Sequence, residues 1–265
     1  MVLVKKIKDK KNVNFEFNKE FIKIIEEKIK LNDSQFIDKS LKELHPSDSA
    51  DIIENLTLDN RSKLIELEGF NIEPEIFVEL NESIQSEILL LLSITSIANL
   101  LKNLDSDDAI TILENIDKNK KNLVLDLLPP KDRFLLEEGL GYPEDSAARI
   151  MQREFTAIPS NWSVGQTIDY LRESKTLPEE FLEIFIVDSE FKPIGTVPSS
   201  KVLRTPRANK MISIMRETQV LIPVTMDQEE VGYTFENYNL TSAGVVDKNN
   251  KLVGMITSDD ILTIV

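Results

Sequence analysis

The chain has 265 residues and a net charge of −15, from 46 acidic and 31 basic side chains. This acidity argues against nucleic acids and anionic membrane surfaces as partners, and it leaves cations as candidate ligands. Because the chain has no cysteine, disulfides, thiolate metal sites and cysteine nucleophiles are excluded. The longest aliphatic run, Ile88–Leu92, is far shorter than the roughly 18 apolar residues of a membrane helix, so we expect a soluble polypeptide.

The acidic residues are concentrated in the middle of the chain. Residues 1–30 hold nine basic and five acidic side chains, whereas residues 31–149 hold 11 basic and 25 acidic ones. A basic, Asn-containing start is most simply a solvated segment. We therefore predict a flexible basic tail over residues 1–17.

Apolar residues recur at helical spacing from about residue 18 onwards, and one helical sequence motif occurs twice. Residues 48–56 align with residues 108–116, and residues 94–101 resemble a looser copy. Short helical hairpins that cannot bury their apolar faces alone stack into a superhelix. This pattern predicts an all-α superhelical repeat domain over residues 18–141.

The single histidine, His45, stands beside Pro46 at the predicted start of a helix. With no second histidine and no cysteine to share a metal, a structural role is favoured over a catalytic or metal-binding one. Ser47 is the expected N-cap of that helix.

The stretch Gly141–Met151 separates this acidic half from a second half of different pattern. Pro143 stops a helix from running through, because proline lacks an N–H group and disfavours α geometry in the residue before it. Asp145 or Ser146 is expected to cap a new short helix that carries Ala147, Ala148, Ile150 and Met151. We predict a junction between two domains at residues 142–152.

The second half contains an internal repeat of two copies. Ile150-Met151 and Ile214-Met215 each open a copy, and each copy continues with an extended segment, a helix, a strand pair and a second helix. In both strand pairs an apolar strand enters a polar turn and returns as a second strand ending in glycine, Gly195 in the first copy and Gly254 in the second. This pattern is typical of a β-hairpin.

Each copy resembles a cystathionine-β-synthase (CBS) domain, with a β-α-β-β-α core, and the tandem resembles a Bateman module. The helical repeats, the junction phrase at Tyr142–Ala147 and the tandem copies, in this order, resemble the cytosolic part of MgtE-type magnesium transporters. The implied fold is multi-domain α and α+β, with an all-α superhelical repeat domain followed by a tandem CBS module. The expected CBS domains cover residues 153–208 and 209–265.

The resemblance implies a Mg²⁺-sensing regulatory region on the cytoplasmic side of the cell membrane. Its implied partners are a second copy of the chain, paired through the CBS domains, and the transmembrane pore domain of the same transporter. That pore domain is expected to be absent here, because the chain stops at Val265. Mg²⁺ bridging acidic surfaces of the helical and CBS domains would favour a closed state.

Mg²⁺ is a hard cation that prefers oxygen ligands and keeps several waters, so it needs only one or two carboxylates at a site. Matching the family pattern residue by residue adds the Ala148 carbonyl and Asn239, which replaces an aspartate. The candidates for metal ligation are Asp105, Asp107, Asp108, Ala148, Asp227, Glu229, Glu230, Asn239, Asp259 and Asp260. The competing interpretation is that these acids are solvated or cap helices.

An adenine nucleotide such as ATP is a second implied ligand, because CBS domains use a Gly-h-h-[Ser/Thr]-x-x-Asp phrase in which h is hydrophobic. The second copy has this phrase with Thr257 and Asp260, whereas the first has Pro198 and Lys201 at the two key places. The alternative functions are a stand-alone nucleotide-sensing CBS protein or a helical-repeat scaffold. Catalytic residues are not expected, since no phosphate loop, nucleophile motif or histidine pair is present.

Overall fold

The computed structural model describes residues 15–178, 181–217 and 220–262, with side chains from residue 19 onwards. Most of the predicted basic tail therefore lies outside the described residues. The chain divides into two compact units, residues 1–104 with 111–133, and residues 105–110 with 134–265. No helix among the described residues is both long enough and apolar enough to cross a membrane.

Over the residues that the structure describes, the first unit is all-α, as the repeat pattern predicts. Its fully buried side chains include Ile25, Ile37, Ile53, Leu64 and Phe77. The helices of the acidic half are α1 (Phe15–Lys30), α2 (Ser34–Lys42), α3 (Pro46–Asn55), α4 (Leu58–Glu66), α5 (Pro74–Val78), α6 (Glu82–Leu91), α7 (Ile94–Leu101), α8 (Ser106–Glu114), α9 (Lys118–Asp126) and α10 (Pro130–Leu140). Helices α8 and α10 each begin in one unit and end in the other.

Polar side chains start these short helices by accepting hydrogen bonds from unpaired backbone N–H groups. The prediction of Ser47 as the N-cap of α3 is wrong, because that helix begins at Pro46 and His45 is its N-cap. The His45 Nδ1 atom accepts a hydrogen bond from the Ser47 N–H at 3.3 Å. His45 thus has the structural role expected of it.

The second unit contains two β-α-β-β-α copies. The first comprises β1 (Ala157–Pro159), α11 (Val164–Glu173), β2 (Glu183–Val187), β3 (Pro193–Pro198) and α12 (Ser199–Arg204). A short helix and strand, α13 (Met211–Ile214) and β4 (Arg216–Glu217), lead into the second. That copy comprises β5 (Leu221–Pro223), α14 (Gln228–Tyr238), β6 (Ser242–Val246), β7 (Leu252–Thr257) and α15 (Ser258–Leu262).

The segment that leads into each copy pairs with the sheet of the other copy. Strand β4 adds to the first sheet, giving the order β1-β2-β3-β4, with Arg216 opposite Thr196. In the equivalent position Gln152, which precedes the first copy, pairs with Met255 of β7 beside the β5-β6-β7 sheet. The two copies are therefore interlocked through their leading segments.

The short helix predicted after Pro143 is wrong. Residues 141–152 form turns and two isolated bridges, because the N–H groups of Ala147, Ala148 and Gln152 pair with the second copy and not with carbonyls one helical turn earlier. Ala147 N–H donates to Met226 O at 2.7 Å, and Ala148 N–H donates to Val224 O at 3.1 Å. Both alanines are fully buried in the core of that copy.

Candidate magnesium site

Hydrogen bonds connect the first turn of α8 to the segment that precedes β1. The Glu154 Oε2 atom accepts hydrogen bonds from Ser106 N–H at 3.1 Å, Ser106 Oγ at 2.9 Å and Arg153 N–H at 3.0 Å. Arg153 N–H also donates to Ser106 Oγ at 2.9 Å. Glu154 therefore satisfies a backbone donor at the start of α8, where a helix binds negative charge best.

Three carboxylates stand around this anchored turn, and they differ in burial. Asp105 is exposed and Asp108 is half-buried, whereas Asp107 is only 8% exposed. The two hydrogen bonds from Ser106 to Glu154 fix the backbone between Asp105 and Asp107. The turn therefore presents its acids at positions set by the CBS half of the chain.

The first turn of α15 supplies two further carboxylates, Asp259 and Asp260. The Asp260 Oδ2 atom accepts hydrogen bonds from Thr257 N–H at 2.8 Å and Thr257 Oγ1 at 2.7 Å. Its Oδ1 atom accepts a weaker bond from Gln152 Nε2 at 3.3 Å. These contacts hold Asp260 in place while Asp259 remains exposed.

The acids of α15 lie close enough to the start of α8 to raise the pKa values of Asp105, Asp107 and Asp108. The pKa of Asp108 is raised to about 6, by burial and by the charges of Asp105, Asp260 and Asp259. Burial and the neighbouring charges of Asp108, Asp260 and Asp105 hold the pKa of Asp107 well above its usual range. For Asp105, burial of the carboxyl group and the charges of Glu154, Asp260 and Asp259 raise the pKa, although the residue as a whole is exposed.

The pKa of Asp260 is also raised, although the hydrogen bonds that its carboxylate accepts act to lower it. Burial raises its pKa, Thr257 lowers it by donating to the carboxylate, and the charge of Asp259 raises it again. We name Asp105, Asp107, Asp108, Asp259 and Asp260 the acidic cluster. It concentrates like negative charge in one part of the second unit.

The donor set of the acidic cluster suits Mg²⁺, because carboxylate oxygens are the hard ligands that this cation prefers. Within the ranges that the structure describes, no three histidine or acidic side chains converge closely enough to hold a metal ion directly. Magnesium needs only one or two direct carboxylates and keeps several waters. The residues therefore fit a hydrated ion better than a fully dehydrated one.

The other predicted ligands lie elsewhere in the CBS half. Asp227 is the N-cap of α14 and accepts a hydrogen bond from Glu229 N–H at 2.9 Å. Glu229 and Glu230 are exposed in the first turn of the same helix, and Asn239 ends it with a left-handed φ of 49°. Ala148 is fully buried. The Asp227 side chain therefore caps a helix, as the competing interpretation expects.

Sequence reasoning missed Gln152, Arg153 and Glu154, which connect the junction to both acidic turns. Gln152 reaches Asp260, Glu154 holds Ser106, and the charge of Arg153 acts near Asp107. The only signal in the sequence was their place directly after Met151, where the first copy begins.

A cavity of about 360 Å³ lies between the two CBS copies, on the side where β4 joins the first sheet. Its lining includes Phe185, Thr196, Arg216, Tyr238 and Gly244. The first copy's Lys201, which replaces the acid of the nucleotide phrase, donates its Nζ hydrogen to the Ile214 carbonyl. Thr257 and Asp260, the predicted nucleotide contacts, instead bond to each other, and Asp260 belongs to the acidic cluster.

Residues 44–145 match the family described as the MgtE intracellular N domain, and residues 212–265 match the CBS domain family. The magnesium transporter MgtE of Thermus thermophilus is 26% identical over 91% of this chain and 54% of its own length. That of Bacillus subtilis is 24% identical over 85% of this chain and 50% of its own length. This chain thus spans about half the length of these curated relatives.

A crystal structure of the cytosolic domain of the Mg²⁺ channel MgtE in complex with ATP matches with a TM-score of 0.81 at 25% identity. The match covers 91% of this chain and 98% of that chain. The soluble part of a magnesium transporter matches with a TM-score of 0.80 at 22% identity, over 93% and 97% of the two chains, and supports the fold alone. The chain therefore has the domain order and fold of the cytosolic region of an MgtE-type magnesium transporter.

Proposed function

We propose that this chain is a Mg²⁺-sensing regulatory region that acts on the cytoplasmic side of a membrane and has no catalytic activity. The observation that supports the proposal is the acidic cluster, in which the charges of the α15 acids raise the pKa values of the acids at the start of α8. The relatives named above are magnesium transporters, which makes Mg²⁺ the cation of choice.

The proposed mechanism is electrostatic. Without a cation, the acids of α8 and α15 repel one another, and burial makes their charged forms more costly. A divalent cation between the two turns stabilises the ionised carboxylates and holds the turns together. An ion that binds one arrangement better than another shifts the population toward it, so Mg²⁺ would favour the state in which α8 is held against α15.

Calorimetric titration with Mg²⁺ tests this function. We expect saturable binding that weakens at least about tenfold when Asp108→Asn and Asp260→Asn are combined, because two charges of the cluster are then lost. Glu173→Gln with Glu236→Gln is a matched control, since it removes two exposed acids that are not candidate ligands. Equal affinities in the wild type and the Asp108/Asp260 double variant would contradict the proposed site.

Nucleotide binding is a second candidate function, favoured by the 360 Å³ cavity and by the ATP complex of the similar cytosolic domain. Arg216 offers a cation for phosphate and Tyr238 an aromatic face for a base. The alternative position at Thr257 and Asp260 includes one acid of the acidic cluster, and the cluster would repel a polyanion. ATP binding that Arg216→Gln weakens and Asp260→Ala leaves intact would support the cavity, and the reverse result would support Asp260.

A further inference from the structure

Arg153 holds a buried positive charge beside the acidic cluster. Its backbone N–H is fixed by Ser106 and Glu154 at the start of α8. The three guanidinium nitrogens are shielded from solvent, and none of them has a hydrogen-bond partner among the residues that the structure describes. A buried arginine is ordinarily paired, because an unpaired buried charge is costly.

Carboxylates surround this guanidinium at electrostatic range without bonding to it. Burial lowers the pKa of Arg153, and the charges of Glu138, Glu154 and Asp107 oppose that change. The space beside it exists because residue 139 is glycine, where a Cβ atom would lie 3.1 Å from Arg153 Nη2. The side chain is therefore held next to the acids by packing and by long-range charge.

We propose that Arg153 is a tethered counter-cation of the acidic cluster, which weakens the binding of divalent cations there and so sets the Mg²⁺ concentration at which the site fills. The inference rests on the proposed Mg²⁺-sensing function. A fixed positive charge near the ligands reduces the attraction that an incoming cation feels, and low solvent exposure limits the screening of that effect. Arg153 is thus an affinity-setting residue and not a ligand.

Three variants of the full chain separate this role from a purely structural one. Arg153→Gln removes the charge, Arg153→Lys keeps it, and Arg207→Gln removes the same charge from an exposed arginine that pairs with Asp169 in the first copy. In calorimetric titrations with Mg²⁺ at constant ionic strength, we expect Arg153→Gln to bind about five- to tenfold more tightly than wild type. Arg153→Lys and Arg207→Gln should stay within about twofold.

Glu138→Gln provides an independent test if Arg153→Gln does not fold. Glu138 is exposed on α10 and is the largest of the charges that offset the buried guanidinium. Its removal leaves the Arg153 charge less compensated, so Mg²⁺ should bind about two- to threefold more weakly. Tighter or unchanged binding in Glu138→Gln would overturn the inference.

The outcomes also separate this inference from the function on which it rests. Saturable Mg²⁺ binding by wild type, with Arg153→Gln equal to Arg207→Gln or weaker, overturns the role of Arg153 and leaves the sensing function standing. The absence of saturable binding in wild type and Arg153→Gln overturns both. Tighter binding in Arg153→Gln alone supports the inference.

Discussion

The carboxyl group of Asp108 combines two effects that disfavour its ionised form. It is half-buried, and Asp105, Asp259 and Asp260 add like charge around it, so its pKa rises to about 6. An acid whose folded-state pKa is raised binds its proton more tightly in the folded state than in the unfolded chain. Its contribution to stability is present below about pH 4, the unfolded value, and is lost as the pH rises through about 6.

We therefore expect the Mg²⁺-free protein to lose stability between about pH 4 and pH 6.5. Asp105, Asp107 and Asp260 act in the same direction, because their pKa values are also raised. For Asp108 the loss should be on the order of 1–2 kcal/mol after solvent screening. Urea unfolding in a chelator measures it, with Asp108→Asn as the variant in which the slope flattens. Stability that rises over this pH interval would contradict the assignment.

Residue chemistry pointed to the whole of this cluster. Asp105, Asp107, Asp108, Asp259 and Asp260 were candidates because Mg²⁺ favours oxygen ligands. The family resemblance implied that acids of the helical and CBS domains approach one another, but their positions along the chain alone could not show it. It also gave no sign of Glu154, because the hydrogen bond from Ser106 joins residues 48 positions apart.

At the scale of elements, glycine lets the leading segments cross between the two CBS copies. A Cβ atom at Gly254 would lie 2.8 Å from the Gln152 carbonyl and 2.6 Å from Met151 Sδ. At the equivalent Gly195, it would lie 2.5 Å from the Arg216 carbonyl and 2.7 Å from Met215 Sδ. The absence of a Cβ atom at both glycines thus lets the backbone of a leading segment approach closely.

Gly254→Ala should destabilise the CBS half by about 1–3 kcal/mol, because the new methyl group meets a backbone carbonyl that cannot turn aside. It should also loosen Gln152, which bonds to Asp260 in the acidic cluster. Thermal unfolding followed by circular dichroism measures the loss. Lys251→Ala, exposed in the same hairpin, is the control, and a Gly254→Ala variant as stable as that control would count against the crossing.

Most of the elements themselves were predictable. Helical spacing predicted the repeats of the first half, and the two apolar strand pairs predicted β2-β3 and β6-β7. The crossing of the leading segments was not predictable, because these segments pair with strands that are distant in the sequence. For that reason the local helix signals at Asp145 and Ser146 led to a helix that does not form.

At the scale of the whole molecule, we propose that two copies of the chain pair through their CBS halves. A groove of about 570 Å³ runs between α14 and α15, where Tyr233 is 65% exposed and Leu262 81% exposed. Apolar side chains on one exposed face favour a self-complementary contact about a two-fold axis. Light scattering should give twice the 30.2 kDa monomer mass, and Tyr233→Lys should lower it. A monomer mass for wild type at micromolar concentration would refute the pairing.

The central claim is that Mg²⁺ holds the first turn of α8 against the first turn of α15. Hydrogen exchange measured in millimolar Mg²⁺ and in NaCl of equal ionic strength tests it most directly, because it reports on both turns separately. We predict slower exchange at residues 106–110 and 258–262 in Mg²⁺ alone, lost in the Asp108→Asn, Asp260→Asn double variant. Identical exchange in the two salts, or protection confined to residues 227–239, would contradict the claim.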